Sequence, residues 1–246
     1  MTTSVPSRVA IVTGGSRGIG RVTAERLAAD GMAVVAVYAG NKEAADETVA
    51  AIAATGAQAM AVQADVADEH AVSAAFDVAE QEYGGVDVVV NAAGIMILGP
   101  LAEFDLDALD RMHRTNIRGT FVVNQQAARR VRSGGAIINF SSTVKKLALP
   151  TYAAYAASKG AVDAVSLILA RELRGRNITV NAVAPGPTAS ALYFEGKDQE
   201  TIDRAAKANP IERLGTPADV AEVISSLAGP ARWINGQTIY VNGGVI

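Results

Sequence analysis

The feature that most constrains this chain is the alternation of short apolar runs with alanine-rich segments from end to end. Seven largely apolar, often β-branched runs recur: RVAIVT (8–13), AVVAVY (33–38), QAMAVQ (58–63), VDVVV (86–90), AIINF (136–140), ITVNAV (178–183) and QTIYV (237–241). Continuous apolar character is typical of strands that are buried on both faces. Repeated strand–helix alternation implies a parallel sheet with right-handed crossovers. The sequence therefore predicts an α/β fold, a doubly wound, parallel seven-stranded sheet with helices on both faces.

Composition narrows the class of protein further. The 246 residues contain no repeat or linker, which predicts a single domain over 1–246, and no cysteine, which excludes disulfides and thiolate chemistry. The 22 basic and 25 acidic residues are interspersed, so nucleic acid is not an expected partner. No apolar run approaches the ~18 residues of a membrane span, and the first residues lack a secretory signal. We expect a cytoplasmic protein without a membrane partner, and we predict no metal site.

The first strand leads into a glycine-rich turn, TGGSRGIG (13–20). Gly14, Gly18 and Gly20 allow a sharp turn, a close approach to a pyrophosphate, and a helix whose amides face the anion. Their spacing differs from the standard Gly-x-Gly-x-x-Gly fingerprint, and a tight turn without a ligand is the alternative. No Lys-Ser/Thr follows the glycines, which argues against a nucleoside-triphosphate loop.

The second strand indicates which dinucleotide is bound. It ends in VYAGNK, with no carboxylate before Glu43 to bind the ribose hydroxyls of NAD(H). Arg17, together with Asn41 or Lys42, offers groups for a 2′-phosphate. These residues favour NADP(H), with NAD(H) possible, unless the charges are merely solvated. Asp65, after the third strand, is either a hydrogen-bond acceptor for the adenine amine or the cap of the next helix.

The stretch YAASK places Tyr155 and Lys159 four residues apart. On a helix their Cβ atoms would be about 5–6 Å apart on one face. The pair is either a packing feature or a proton-transfer device. Lowering a phenol pKa from about 10 to about 7 takes about 4 kcal/mol, and an ammonium about 4–5 Å away at an effective dielectric near 20 supplies about 3–4 kcal/mol.

At this point the chain resembles the short-chain dehydrogenase/reductase family over essentially its whole length. The matching features are TGGSRGIG (13–20), Asp65, NAAG (91–94), Asn116, Ser142, Tyr155 with Lys159, PGPT (185–188) and INGQTIYVNGG (234–244). The resemblance implies a Rossmann fold and a hydride transfer between nicotinamide and a carbonyl. NAAG has alanine where the family usually has a second asparagine, and we expect only a local adjustment there.

The resemblance also implies a role for each matching residue. Tyr155 is the general acid, Lys159 lowers the tyrosine pKa and binds the nicotinamide ribose, and Ser142 polarises the substrate oxygen. Asn116, which interrupts a helix predicted over 106–132, supports a proton-relay water. The implied cofactor-binding residues are Gly14, Ser16, Arg17, Gly18, Ile19, Gly20, Asn41, Asp65, Val66, Asn91, Ala92, Gly94, Tyr155, Lys159, Pro185, Gly186 and Thr188.

The expected substrate is a medium-sized ketone or secondary alcohol with little charge. The pocket is expected to be apolar, formed by Met96, Leu98, Val144, Leu147, Leu149, Tyr152, Leu192, Tyr193 and Phe194, under a lid over 188–209. Lys145 and Lys146 either meet an anion at the mouth or are solvated. The alternatives are an NAD-dependent alcohol, polyol or steroid dehydrogenase and a non-catalytic cofactor-binding regulator.

The nearest sub-resemblance is to 3-oxoacyl-carrier-protein reductases, through PGPT and the closing NGG. It implies a possible 3-oxoacyl thioester substrate and an acyl carrier protein bound by Arg129, Arg130, Arg132 and Arg176, unless these arginines serve helix dipoles. The helix predicted over 151–174 is apolar around most of its circumference, so a second buried face is expected. In the family this face builds a homotetramer, and Leu167 and Leu169 are the positions expected to hold it together.

Overall fold

The computed structural model of the protein describes residues 8–246 and contains one seven-stranded sheet in the order β3-β2-β1-β4-β5-β6-β7. Every neighbouring pair of strands is parallel. The strands are β1 (Arg8–Thr13), β2 (Met32–Tyr38), β3 (Ala59–Gln63), β4 (Val86–Asn91), β5 (Val131–Phe140), β6 (Thr179–Pro185) and β7 (Thr238–Val241). The predicted fold class is confirmed.

Helices cover both faces of this sheet. They are α1 (Gly18–Ala29), α2 (Lys42–Ala54), α3 (Glu69–Tyr83), α4 (Leu106–His113), α5 (Gly119–Arg130), α6 (Val144–Leu147), α7 (Ala153–Glu172), α8 (Ala191–Phe194), α9 (Gln199–Lys207) and α10 (Pro217–Ala228), with a short 3₁₀ turn at Leu101–Glu103. Buried residues of α3, α5 and α7 form one core cluster with the sheet, and those of α1 and α10 form the other.

Two elements differ from the sequence prediction. The helix predicted over 106–132 is broken by a π-helical turn, Arg114–Arg118, between α4 and α5. Strand β5 begins five residues earlier than the apolar run, and its register against β4 slips between Val86 and Val88. Gly134, at φ +86°, accommodates this irregularity, because a left-handed conformation is cheap only for glycine.

Helix α7 is long and apolar enough, by length and composition alone, to cross a membrane. A core helix passes the same test, and Val162, Leu169 and Ala170 on α7 are buried. Because β1 lies between β2 and β4, the strand order reverses beside it, and ligands of such sheets bind outside the carboxyl ends of the strands at this point.

Candidate active site

The glycine turn after β1 is fixed by close backbone contacts. Gly14 and Gly18 have φ angles of +66° and +54°, and a Cβ on Gly20 would lie 2.2 Å from the carbonyl oxygen of Gly14. A Cβ on Gly14 would lie 3.1 Å from the backbone of Ala93, which follows β4. Side chains at these positions would therefore open the turn and move it away from β4.

The start of α1 is suited to an anion. Its N-cap residue, Arg17, provides no side-chain cap, whereas α2 and α3 are capped by Asn41 and Asp68. The first amides of a helix need an acceptor and carry the positive end of its dipole. The turn and the start of α1 line a cleft of about 690 Å³. A dinucleotide pyrophosphate fits the chemistry of this helix start.

The outer end of the cleft contains the groups predicted to read the 2′-phosphate. Arg17 is exposed, lines the cleft, and forms no salt bridge within residues 8–246. Asn41 also lines the cleft, and its side-chain oxygen accepts a hydrogen bond from Ala44 N at 2.9 Å. Lys42 instead lies with its Nζ 2.6 Å from Asp46 Oδ2, outside the cleft lining. Of the two partners predicted for Arg17, Asn41 lines the cleft and Lys42 does not.

Asp65 lines the cleft and is not the cap of the next helix. That cap is Asp68, whose Oδ1 accepts hydrogen bonds from His70 N and Ala71 N. Asp65 accepts hydrogen bonds from Ala67 N at 2.9 Å and from Arg114 Nη2 at 2.7 Å. Arg114 lies 49 positions along the chain, and sequence reasoning gave no signal for this contact.

Asn91 does not line the cleft, contrary to its predicted role as a cofactor-binding residue. Its side chain is buried at the end of β4, where Oδ1 accepts a hydrogen bond from Thr13 Oγ1 at 2.9 Å. Its Nδ2 donates to Thr120 Oγ1 at 3.2 Å. Because both the oxygen and the nitrogen of the amide form hydrogen bonds inside the protein, Asn91 stabilises the end of β1, where the glycine turn begins. The cleft is lined here by Ala92, Ala93 and Gly94.

Asn116 lies in the π-helical turn and is buried beside the cleft rather than lining it. Its Nδ2 donates to Ile95 O at 2.9 Å and to Ser158 Oγ at 3.1 Å, and its Oδ1 accepts from Ile95 N at 2.9 Å. A Cβ on Gly94 would lie 3.3 Å from Asn116 Oδ1 and 3.5 Å from Lys159 Nζ. A side chain at position 94 would therefore crowd both Asn116 and Lys159, so glycine is suited to this position.

Tyr155 and Lys159 come from successive turns of α7 and both line the cleft. Lys159 Nζ lies 5.7 Å from the centroid of the Tyr155 ring and donates a hydrogen bond to the carbonyl oxygen of Phe140 at 2.8 Å. Ser142, which follows β5, lines the same part of the cleft, and its Oγ accepts from Val144 N at 3.3 Å. The end of β5 and the first turns of α7 thus bring three predicted catalytic groups together.

Burial dominates the titration of this cluster. It raises the pKa of Tyr155 to about 12, although a hydrogen bond with Ser142 acts in the opposite direction. Burial also lowers the pKa of Lys159 to about 8, and the charge of Lys145 lowers it further. The expected fall of the tyrosine pKa toward 7 is not found in the protein groups alone, because desolvation of the phenolate is the largest contribution and outweighs the hydrogen bond with Ser142. At neutral pH Tyr155 is a phenol that can donate its proton.

All the predicted cofactor-binding residues except Asn91 line this one cleft. Pro185, Gly186 and Thr188 border it after β6, and a Cβ on Gly186 would lie 2.8 Å from Asn242 Cβ. Of the predicted substrate-contacting residues, Leu98 and Phe194 do not line the cleft. Those that do are Met96, Val144, Leu147, Leu149, Tyr152, Leu192 and Tyr193.

The predicted carrier-binding arginines lie near the amino ends of the strands, whereas the cleft lies at the carboxyl ends. Arg130 and Arg132 flank the start of β5, whereas Ser142 follows its end, beyond five paired residues or roughly 15 Å of strand. Arg130 pairs with Asp77 and Glu80, Arg132 pairs with Asp87, and Arg176 donates to backbone carbonyls. Within one chain Arg130, Arg132 and Arg176 therefore do not flank the cleft, and binding of an acyl carrier protein stays a prediction.

Comparisons with known proteins agree with this geometry. A family model described as enoyl-(acyl carrier protein) reductase matches residues 14–246. Versicolorin reductase of Emericella nidulans is 40% identical over 96% of this chain and 95% of its own length. The chain belongs to the short-chain dehydrogenase/reductase family.

Two further relatives name a cofactor. An NADPH-dependent aldehyde reductase-like protein of Arabidopsis thaliana is 40% identical over 97% of this chain and 94% of its own length. The structure of a short-chain dehydrogenase from Burkholderia cenocepacia in complex with NADP has 37% identity and a TM-score of 0.91, covering 99% of both chains. As a member of this family the protein is an NAD(P)-dependent oxidoreductase.

Proposed function

We propose that this oxidoreductase uses NADP(H) to interconvert a ketone and a secondary alcohol, in the reducing direction with Tyr155 as the proton donor. The observation that carries the proposal is the shared cleft. Ser142, Tyr155 and Lys159 line its inner part, and the glycine turn with Arg17 lines its outer part. NADPH, when bound, supplies the hydride. The named cofactors of the Arabidopsis and Burkholderia relatives support the choice of NADP(H).

The residues of the cleft divide the work of carbonyl reduction. Ser142 donates a hydrogen bond to the substrate oxygen, and Tyr155 delivers a proton to that oxygen as negative charge develops on it. Protonated Lys159, 5.7 Å from the Tyr155 ring centroid, stabilises the phenolate that remains. Asn116 holds the segment after Gly94 through its two hydrogen bonds with Ile95, and a third, to Ser158 Oγ, ties this segment to α7, so Asn116 acts as a positioning residue.

The side chains around the reacting groups suggest the class of substrate. Met96, Leu147 and Leu192 provide apolar surface, and Tyr152 and Tyr193 provide two aromatic rings in the same cleft. Flat aromatic ketones suit such walls, because rings stack favourably on tyrosine. The relatives named versicolorin reductase and aldehyde reductase-like protein support the reducing direction. A 3-oxoacyl thioester is the second candidate, supported by the acyl-carrier description of the matching family model.

The segment 188–209 is proposed as a lid over the substrate. It contains α8 and α9, and neither helix contributes a fully buried residue. Its residues 188 and 190–193 line the cleft, so movement of this segment would open or close the substrate end. Lids of this kind exclude water while proton and hydride transfer take place.

The function is tested by following NADPH absorbance with a panel of aromatic ketones, aliphatic ketones, 3-oxoacyl thioesters and aldehydes. We expect turnover of aromatic ketones with NADPH and a much lower kcat/KM with NADH. A higher kcat/KM with NADH would favour the NAD-dependent alternative. Tight cofactor binding without turnover of any compound would favour the non-catalytic alternative. A preference for 3-oxoacyl thioesters would replace the aromatic-ketone assignment by the second candidate.

A homotetramer formed through α7, in the cytoplasm, is also proposed. Leu167 and Ile168 on α7 and Phe121 on α5 are about half exposed, which leaves an apolar face for a second copy. Leu169 is buried in the core of its own chain, so its predicted interface role is wrong. Leu167→Arg should reduce the assembly size on sizing chromatography, with Arg171→Ala as control. An unchanged elution volume would contradict an α7 interface.

A further inference from the structure

Next to the catalytic groups lies an ion pair that the proposed reaction does not use. Lys145 on α6 contacts Asp163 on α7 through Nζ and Oδ2. Only 13% of the Lys145 side chain and 27% of the Asp163 side chain are exposed. Lys145 is therefore neither a solvated surface charge nor, since it does not line the cleft, a group for an anion at the mouth. Asp163 Oδ1 is buried without a hydrogen-bond partner within residues 8–246, so Lys145 is the cation that compensates this carboxylate.

Contacts connect this pair to the catalytic lysine. Lys145 Nζ donates to Ser141 Oγ at 2.6 Å, and Ser141 Oγ donates to the backbone carbonyl of Lys159 at 3.4 Å. Asp163 follows Lys159 by four residues on α7, so the two side chains leave neighbouring positions on one helix face. Lys145 also lies 5.8 Å from the centroid of the Tyr240 ring on β7. The pair thus connects α6, α7 and β7, and Ser141 links it to the backbone of Lys159.

The charges around Lys159 come close to balance. The neighbours of this lysine are a further cation (Lys145), a carboxylate one turn along α7 (Asp163), a phenol (Tyr155), and the neutral Asn116 side chain and Phe140 carbonyl. Lys146, which neighbours Lys145, is exposed. A carboxylate one helical turn away favours the charged form of Lys159, and the second ammonium disfavours it.

We propose that Lys145 and Asp163 are positioning residues that set the protonation state of Lys159. The inference rests on the proposed function, because the charge of Lys159 affects the rate by stabilising the phenolate that Tyr155 becomes when it gives up its proton. Loss of Asp163 leaves the positive charge of Lys145 uncompensated, so Lys159 gives up its proton at lower pH. Loss of Lys145 leaves an uncompensated carboxylate beside Lys159, which then holds its proton to higher pH.

The test compares four variants: Asp163→Asn, Lys145→Met, Lys145→Arg and the double variant of the first two. The pKa of Lys159 is measured by NMR titration of isotope-labelled lysine ε-carbons, assigned with Lys159→Arg. We expect Asp163→Asn to lower this pKa and Lys145→Met to raise it, each by about one unit. The double variant and Lys145→Arg should stay close to the parent protein. The alkaline limb of the NADPH-dependent reduction rate should move in the same directions.

Opposite shifts distinguish charge from simple packing, because a packing defect in either variant lowers the rate without moving the limb. Unmoved values, or shifts of the same sign, would overturn the inference. If Asp163→Asn fails to fold, as judged by thermal unfolding, Lys145→Met against Lys145→Arg still decides. The NMR titration needs no turnover, so a protein that reduces no ketone would contradict the proposed function while the titration still judges the ion pair.

Discussion

Charged residues have opposite roles at the two ends of the parallel strands, which are called here the amino edge and the carboxyl edge of the sheet. At the amino edge, Arg132 is held by the carboxylate of Asp87, and Arg232 donates to the carbonyl oxygens of Gly135 and Asn177. At the carboxyl edge, Arg17 forms no salt bridge within residues 8–246, and the buried Lys159 donates only to a backbone carbonyl. Arg132 and Arg232 at the amino edge are satisfied and stabilise the fold, whereas Arg17 and Lys159 at the cleft remain available for a ligand. In the part of the chain that the structure describes, the site is marked by charged side chains that have no carboxylate partner.

The largest expected effect concerns Tyr155 at the carboxyl edge. Tyr155→Phe removes the proton donor and leaves the ring, so the rate of ketone reduction should fall by about 10²–10⁴-fold. NADPH affinity, measured by fluorescence titration, should stay within about threefold, a change of less than 1 kcal/mol. Tyr152→Phe, which lines the same cleft, is the matched control and should keep most of the rate. A Tyr155→Phe enzyme with parental kcat would show that another group donates the proton.

The corresponding change at the amino edge should alter stability and spare the rate. Asp87 is 8% exposed and accepts hydrogen bonds from Val9 N at 2.7 Å and Arg132 Nε at 2.9 Å. Asp87→Ala leaves both donors without this acceptor, and we expect a loss of about 2–3 kcal/mol in the free energy of unfolding. Urea unfolding measures the loss, and kcat/KM of the folded fraction should not change.

An exposed pair provides the control for Asp87. Asp46 lies 2.6 Å from Lys42, but its side chain is 55% exposed. Asp46→Ala should therefore cost less than about 1 kcal/mol, because solvent screens such pairs. Equal losses in the Asp87 and Asp46 variants would contradict the distinction between satisfied, buried charges and solvated ones.

Local patterns in the sequence were enough to predict much of the cleft. The glycines after β1 and the Tyr155–Lys159 spacing each need only a few neighbouring residues, and the structure brings them to one cleft as expected. The position of Arg132 was also within reach of the sequence. Residues just before a parallel strand lie at the edge opposite to those just after it, so an arginine before the run 136–140 could not flank Ser142 within one chain.

Other features depend on contacts between distant parts of the chain. Asn91 is satisfied by Thr13 and Thr120, which are 78 and 29 positions away, and Arg114 meets Asp65 across 49 positions. The direction of the Tyr155 pKa shift depends on burial by many elements, whereas the sequence showed only the neighbouring lysine. The spacing of Tyr155 and Lys159 therefore predicted that the two side chains share one site. It did not predict how burial shifts their pKa values.

A smaller effect is expected at the outer end of the cleft. If Arg17 binds the 2′-phosphate, Arg17→Ala removes a charge-assisted hydrogen bond and should raise the KM for NADPH by about 10–100-fold. The KM for NADH, which lacks this phosphate, should hardly change. Arg21→Ala is the matched control, because Arg21 is paired with Glu25 at 2.9 Å on the same helix. A parallel rise in both KM values would mean that Arg17 does not read the phosphate.

The smallest expected effect concerns whether a partly exposed charge at the amino edge contributes to the free energy of unfolding. Arg130 lowers the pKa of Glu80 below its ordinary value, and the Glu80 side chain is 40% exposed. Because the folded-state pKa is the lower one, the stabilisation is present above the unfolded pKa of about 4.3 and is lost as pH falls through the folded value. Glu80→Gln should therefore cost at most about 1 kcal/mol at neutral pH, and the gap to the parent protein in urea unfolding should close in acid. Glu82→Gln, on the same helix but exposed, should show no gap at either pH. A gap for Glu80→Gln that persists in acid would assign its effect to packing or hydrogen bonding rather than charge.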